Sequence, residues 1–224
     1  MKYKKNLKNN PIFQSQIDTT NFKINKSEFH KFTQNGVTIA FPKNTFYEDV
    51  YLDFTTNGNI ANIHRPTIPL DKSFTITFDS TLYNKSDIDH IYIANINNEK
   101  YPIYQKTRKK ENKIFTTTKI LGKYTILIDD QIPKIYGCNF NNDDWISNYR
   151  NLTIKISDTQ SGIQSYDAFI DDQWILMEYD VKLKKLTYDF NDKKLVGSKH
   201  IFKLVVSDNV GNTNIYESTF YRKQ

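Results

Sequence analysis

The sequence predicts an all-β protein built from two antiparallel β-sandwich domains in tandem, the second of them immunoglobulin-like. Apolar and polar residues alternate along many short segments, which Gly, Asn, Asp and Pro separate. The chain of 224 residues contains 15 Tyr and 15 Phe, which favour strands. No segment shows the periodicity of a long amphipathic helix, so an all-β fold is expected.

The first domain is predicted over residues 36–130. Residues 1–35 are polar and weakly patterned, and we expect little regular structure there beyond one helical turn over 27–34. From Gly36 onward the alternation typical of a sandwich begins. Its clearest apolar triads are Val37/Ile39/Phe41, Val50/Leu52/Phe54, Phe74/Ile76/Phe78 and Tyr124/Ile126/Ile128.

The segment Asp129-Asp130-Gln131-Ile132-Pro133 interrupts this pattern. Proline restricts the residue before it to extended backbone, which is typical of a connection. The domain boundary is therefore placed between residues 130 and 131, and the second domain over 131–224. Its predicted strands are 134–140, 151–157, 164–170, 173–180, 183–189, 200–207 and 213–222, a spacing typical of an immunoglobulin-like sandwich.

Two strands of the second domain end in the same way, at Ser157-Asp158 and at Ser207-Asp208. A Gly-containing turn follows each pair, so both aspartates are expected at the same end of the sandwich. The favoured interpretation is that each carboxylate caps its own turn by accepting backbone N–H bonds. Asp158 and Asp208 are also weak candidates for a calcium site, although no D-x-D-x-D-G loop is present. A calcium-stiffened linker predicts a melting temperature that rises with millimolar calcium and falls again with a chelator.

The residues that usually carry catalysis form no recognisable motif. His30, His64, His90 and His200 show no H-x-H, H-x-x-x-H or H-E-x-x-H spacing. The single cysteine, Cys138, excludes an intrachain disulfide and is expected to be a small buried residue of a strand. P-loop, G-x-S-x-G and G-x-G-x-x-G motifs are also absent. No catalytic residue, metal or cofactor is predicted.

The formal charge of +6 does not by itself identify an anionic partner. Acidic and basic residues are interspersed, and the densest basic run, 106–110, has the character of a hairpin tip. No basic strand interleaved with aromatics is visible, so nucleic-acid binding is disfavoured. No apolar stretch approaches the roughly 20 residues that span a bilayer. The lysines at positions 2, 4, 5 and 8 are not followed by the apolar segment of a signal peptide.

Three aromatic residues are the candidate contacts for a ligand: Trp145, Trp174 and Tyr179. Exposed aromatic rings on a sandwich can stack on the C–H faces of sugar rings. The favoured interpretation for both tryptophans is nevertheless that they seal the core, as large aromatics usually do.

Several segments resemble a known group of proteins. These are DDWISN (143–148), ISDTQSGIQSYDAFIDDQWILMEYD (156–180), LTYDFND (186–192) and LVVSDNVGNTNIYESTFYRK (204–223). They look like the carboxy-terminal Ig-like module of large envelope peptidases from Bacteroidetes-type bacteria. In those proteins a lysostaphin-type (LytM-like) zinc peptidase domain precedes β-sandwich domains. The segments 36–54 and 121–135 resemble, more loosely, the region that follows the peptidase domain.

The resemblance does not imply catalytic activity for this chain. The family's active site uses a His and an Asp spaced by three residues and a later H-x-H, and this chain has neither motif. The resemblance therefore implies a non-catalytic accessory or substrate-positioning region of a cell-envelope peptidoglycan peptidase. It implies a periplasmic, cell-surface or secreted location. The expected partners are peptidoglycan, another envelope glycan, or an upstream peptidase domain. The alternative is a free-standing carbohydrate-binding or adhesion module of the envelope.

Overall fold

The computed structural model describes residues 21–223 and shows an all-β protein, as the sequence predicts. Contacts divide the chain into two compact units, Met1–Asp129 and Asp130–Gln224, which we call the first and second domains. Each domain has a hydrophobic core of its own. No helix among the described residues is long and apolar enough to cross a membrane.

The described part of the first domain, residues 21–129, forms two antiparallel sheets, with strand orders β1-β4-β5-β11-β7-β8 and β2-β3-β6-β10-β9. Two short 3-10 turns, Ser80–Leu82 and Lys85–His90, precede β7. The strands are β1 (Asn21–Ile24), β2 (His30–Gln34), β3 (Val37–Phe41), β4 (Val50–Asn57), β5 (Ile60–Ile63), β6 (Phe74–Asp79), β7 (Ile91–Asn95), β8 (Ile103–Gln105), β9 (Arg108–Lys110), β10 (Lys113–Thr118) and β11 (Gly122–Ile128).

Alternation along the strands decides which side chains form the first core. Val37, Ile39 and Phe41 of β3 are buried, while the residues between them face outward. The ring of Phe41 stacks on that of Phe74 with centroids 4.8 Å apart. Both sheets contribute side chains to this core, so the predicted sandwich is confirmed.

The expectation for the amino-terminal segment was wrong where the structure describes it. Residues 21–24 form β1, which pairs with β4, and the predicted helical turn over 27–34 is mostly strand β2. These strands are stabilised by pairing with other strands, which the weak local pattern of residues 21–34 does not predict. Residues 1–20 of the segment, with their lysines, lie outside the described residues.

The second domain consists of a four-stranded sheet, β12-β14-β18-β17, and a five-stranded sheet, β13-β20-β19-β15-β16. Leu152, Ile154 and Ile156 of the first sheet pack in one core with Leu204 and Val206 of the second, as in an immunoglobulin-like sandwich. The strands are β12 (Lys134–Tyr136), β13 (Asp144–Trp145), β14 (Asn151–Ser157), β15 (Ile163–Ile170), β16 (Gln173–Ile175), β17 (Glu178–Asp180), β18 (Lys185–Asp189), β19 (Lys199–Asp208) and β20 (Thr213–Tyr221).

Two predicted strands of the second domain differ from the observed ones. The segment 173–180 is not one strand, because β16 pairs with β15 and β17 pairs with β18 in the opposite sheet. The chain crosses the sandwich at Leu176 and Met177, where Met177 enters the core. Strand β12 is shorter than predicted and ends at Tyr136, so Cys138 follows it, partly buried against the core.

Candidate binding surface of the second domain

The two tryptophans do not seal the core, and that interpretation was wrong. The side chains of Trp145 and Trp174 are 59% and 57% exposed. Trp145 lies on β13 and Trp174 on β16, the two edge strands of the five-stranded sheet. The core is closed instead by smaller rings such as Phe140, Phe202 and Phe220.

The solvent-facing side of this sheet carries aromatic and β-branched side chains among its polar residues. Register and alternation bring aromatic and β-branched side chains from all five strands onto it. Charged residues, including Lys203 and Glu217, are interspersed among them. We call this surface the outer aromatic face; its apolar members are Trp145, Phe169, Trp174, Ile201, Val205, Ile215 and Tyr221.

Local contacts orient both indoles. The Trp145 ring stacks on Tyr221, with centroids 5.2 Å apart and an interplanar angle of 28°. The indole Nε1–H of Trp174 donates to Asp167 Oδ1 at 3.3 Å. Each tryptophan is therefore held by a neighbour on the same sheet while much of its ring remains accessible to solvent.

The two indoles are too far apart to contact one small ligand. Strand pairing places Trp145 in line with Lys199 of the central strand β19, and Trp174 in line with Lys203. With about 4.8 Å between strands and about 3.4 Å per residue along them, the backbone positions of the two tryptophans are separated by roughly 23 Å. A single small molecule cannot contact both rings.

Tyr179 does not belong to this surface. It lies on β17, at the edge of the four-stranded sheet, and is partly buried against the core. Its ring contacts that of Tyr166 with centroids 5.7 Å apart. Burial raises the pKa of the Tyr179 phenol. The structure therefore brings Trp145 and Trp174 onto one face but separates Tyr179 from both.

A polar cavity of about 340 Å³ opens on the opposite side of the domain, over the four-stranded sheet. Arg150 Nε lies 3.1 Å from Asp189 Oδ2 at its wall. The pKa of Asp189 is held below its ordinary value, mainly by the backbone N–H of Asn191 and less by Arg150. Its lining residues are Arg150, Asn151, Leu176, Glu178, Thr187, Asp189 and Asp192.

The two Ser-Asp turns meet at one end of the second domain, as expected. Asp208 is fully buried, and its Oδ1 accepts the backbone N–H groups of Val210, Gly211 and Asn212 at 2.9, 2.8 and 2.9 Å. These contacts confirm that it caps its own turn.

Asp158 has the same role in the other turn. Its Oδ1 accepts the N–H groups of Gln160 and Gly162 at 2.9 and 2.7 Å. A residue that sequence reasoning missed, Asn209, joins the turns by donating from Nδ2 to the carbonyls of Ser161 and Gly162. Carboxylate oxygens of Asp158 and Asp208 lie within 4.8 Å of each other. The calcium alternative stays a prediction, because the observed bonds account for turn capping without an ion.

A second pair missed by sequence reasoning is His200 with Asp171. The imidazole Nδ1 lies 2.7 Å from Asp171 Oδ2, and Asp171 Oδ1 accepts the N–H of Ile201 at 2.8 Å. The pair is 29 residues apart in sequence, and the pairing of β15 with β19 brings it together. The adjacent Asp171-Asp172 indicates a turn in the sequence. That His200 is the partner of Asp171 becomes visible only from the register of the two strands. Within the described chain, no histidine belongs to a group of three potential metal ligands.

Known proteins similar to this chain include two solved structures at low sequence identity. Among solved structures, dimeric latent PorU from Porphyromonas gingivalis is 10% identical with a TM-score of 0.36, over 68% of this chain and 22% of that one. The fibronectin(III)-like modules of Clostridium thermocellum CbhA are 13% identical with a TM-score of 0.33, over 68% and 86%. No curated protein matches the sequence. The model of the Zu5-like domain matches residues 19–129, so the first domain is similar to a Zu5-like domain.

Proposed function

We propose that this chain is a non-catalytic region of a cell-envelope protein that holds a polymeric glycan against the outer aromatic face. The observation that carries the proposal is the exposure of Trp145 and Trp174 on one sheet. Tryptophan is ordinarily recruited to cores and interfaces because its large ring gains most from burial. Two oriented, exposed indoles on one surface are typical of a contact surface.

The expected contribution of each ring follows from its accessible area. A buried tryptophan covers about 150–250 Å², and one accessible face of the ring is on the order of 70 Å². At about 25 cal/mol per Å², stacking a sugar on that face contributes roughly 1.5–2 kcal/mol. When one glycan chain contacts both rings, the second contact forms intramolecularly once the first has formed. The two contacts together therefore bind the glycan more tightly than either does alone.

The spacing of the rings favours a polymer over a free sugar. Indoles whose backbone positions lie roughly 23 Å apart cannot stack on one sugar ring, whereas a chain of several sugars can reach both. Charged and polar groups between them, such as Lys203 and Glu217, are placed to bond with hydroxyl or amide groups of that chain.

The accessory role is proposed from the sequence resemblance to envelope peptidoglycan peptidases. In that setting the two domains would position a peptidase domain on its polymer, and this chain would supply binding rather than chemistry. The exposed face supports a contact role over that of a plain spacer. A free-standing carbohydrate-binding or adhesion module would use the same face, and in-frame coding sequence upstream of residue 1 with the His, Asp and H-x-H motifs would favour the accessory role.

Retention on insoluble peptidoglycan tests the contact surface. Trp145→Ala combined with Trp174→Ala is expected to lower the retained fraction more than tenfold, and each single change less, because either ring alone still binds. Tyr136→Ala is the matched control, since Tyr136 is an exposed aromatic residue of the other sheet. Far-UV circular dichroism verifies that the variants are folded. Full retention of the double variant would overturn the assignment, and inhibition of wild-type retention by soluble peptidoglycan fragments would identify the glycan as the ligand.

A further inference from the structure

A small basic cavity lies beside the start of β19, apart from the outer aromatic face. Its volume is about 150 Å³, below the roughly 300–1,000 Å³ of pockets that enclose whole small molecules. Four of its lining residues are cationic, and no carboxylate is among the described residues that line it. The lining residues are Phe190, Lys193, Lys194, Leu195, Gly197, His200, Arg222 and Lys223.

His200 is the buried polar group of this cavity. Its side chain is fully buried, and its ring lies 5.3 Å from that of Phe220. Asp171 holds Nδ1, and a carboxylate is only an acceptor, so Nδ1 carries the proton of that bond. Among the residues that the structure describes, none offers Nε2 a hydrogen-bond partner. Nε2 therefore has an unmade hydrogen bond: it can accept one in the neutral ring and donate one in the protonated ring.

Arg222 fixes a positive charge at the cavity wall. Its guanidinium lies 3.9 Å above the ring of Phe190, and Nη1 donates to the carbonyls of Ile146 and Tyr149 at 2.7 and 2.9 Å. The group is thus held in place while other N–H donors remain for a ligand. Lys193 donates to the side chain of Gln173, which draws its ammonium group toward the domain.

We propose that this cavity binds an oxyanion of phosphate type, either inorganic phosphate or the phosphodiester of a wall polymer. Protonated His200 donates its Nε2–H to an anion oxygen, and Lys193, Lys194 and Arg222 neutralise the charge. The size of the cavity suits a single anionic group. The site is separate from the proposed glycan contact and does not depend on it.

The geometry predicts a specific pH dependence. In neutral His200 the proton on Nδ1 leaves a lone pair at Nε2, which repels an anion; protonation turns Nε2 into a donor. The charged groups that surround the imidazole are Asp171 from the β15–β16 turn, Lys193 and Lys194 from the β18–β19 loop, and Arg222 and Lys223 after β20. The lysines and arginines keep their charge between about pH 6 and pH 8. Inorganic phosphate loses its second proton within the same range. The pH dependence is therefore followed with sulfate, which keeps its charge between about pH 6 and pH 8, so that the change in binding reports the protein.

The primary experiment titrates the full chain at low ionic strength, with inorganic phosphate at one pH and with sulfate at about pH 6 and about pH 8. It follows the imidazole ¹⁵N and ¹H resonances of His200 by NMR and the affinity by calorimetry. We expect sulfate to bind more tightly at about pH 6 than at about pH 8, with the Nε2 resonance moving to its protonated position on binding. Lys193→Gln with Lys194→Gln is expected to weaken binding at least about fivefold, since two partly exposed charge contacts are lost.

Two further variants make the test specific. Lys110→Gln with Lys113→Gln removes the same charge from exposed positions of the first domain and is expected to leave the affinity unchanged. Asp171→Asn suits the turn, where φ is 51° and Asn is tolerated. Its amide donates to Nδ1 and moves the neutral proton to Nε2, so sulfate binding should become nearly independent of pH.

A comparison of ligands separates the two sources of phosphate. Tighter binding per phosphate for a glycerol-phosphate polymer than for inorganic phosphate assigns the site to a phosphodiester of a chain, and the reverse assigns it to the free ion. The proposal is overturned if phosphate leaves the His200 resonances unmoved, or if the control pair loses as much affinity as the Lys193/Lys194 pair. Loss of glycan retention in the tryptophan variants with phosphate binding intact would confirm that the two sites are separate.

Discussion

Replacing Asp208 by Ala tests whether the buried turn cap stabilises the second domain. The substitution removes the acceptor for the N–H groups of Val210, Gly211 and Asn212 and for the side-chain amide of Asn212, which donates to Oδ2 at 2.8 Å. A hydrogen bond to a charged group contributes about 1.5–3 kcal/mol. Three of these donors share one oxygen. Residues 209–212 of the turn are partly exposed, so water can replace part of the lost hydrogen bonding in the variant. We therefore expect the free energy of unfolding to fall by about 3 kcal/mol.

The matched variant is Asp158→Ala. Asp158 is only partly buried and its Oδ1 accepts two backbone N–H groups, so the expected loss is about 1–1.5 kcal/mol. For a domain of about 95 residues, 1 kcal/mol moves the midpoint of thermal unfolding by about 4–8 °C. The Asp208 variant should then melt about 15 °C below the wild type, and the Asp158 variant about 6 °C below it.

Tryptophan fluorescence is the assay, because both tryptophans of the chain lie in the second domain. Urea and thermal unfolding of the full chain followed at this signal report that domain alone, and far-UV circular dichroism reports both. Equal losses for the two variants, or a loss below about 1 kcal/mol for Asp208→Ala, would refute the link between buried acceptors and stability.

The remaining predictions concern the first domain. Gly122→Ala should lower its free energy of unfolding by about 3 kcal/mol or more, because φ is +117° and a Cβ would stand 2.0 Å from Asn97 Oδ1. Gly58→Ala, with φ of +59° and open space around it, should cost only about 1–2 kcal/mol; comparable losses in the two variants, measured by circular dichroism in urea, would contradict the steric argument. Burial raises the pKa values of Tyr83 and Tyr124, with Asp79 adding to the shift at Tyr83. The folded domain therefore keeps protons that the unfolded chain releases, so its stability is full below about pH 10 and declines as the pH rises further. Urea titrations between about pH 8 and pH 11 check this, and a Tyr83→Phe variant whose stability declines just as steeply would count against it.

The principal strands could be predicted from local patterns, because the alternation of apolar and polar residues along a strand involves only neighbouring residues. Val37, Ile39 and Phe41 were predicted to form one face of a strand, and all three are buried. The turn caps at Asp158 and Asp208 were also predictable, since a carboxylate meets N–H groups only a few residues further along the chain.

Predictions failed where the outcome depended on distant partners. Strand β2 exists because it pairs with β3, and the segment 173–180 divides because β15 and β18 offer hydrogen bonds on opposite sheets. Neither partner is visible in the local pattern. The burial of Cys138, which is partial and lies outside a strand, likewise follows from where β12 ends.

The sequence by itself determined an all-β chain, its principal strands, its Ser-Asp turns and the absence of recognisable catalytic motifs. The tertiary structure decided which faces meet solvent and which distant side chains meet each other. The local sequence around a tryptophan does not distinguish an exposed ring from a buried one. Only the assembled sheet therefore shows that Trp145 and Trp174 face outward. The same holds for His200 and Asp171, which meet because strand register is fixed by the packing of a whole face.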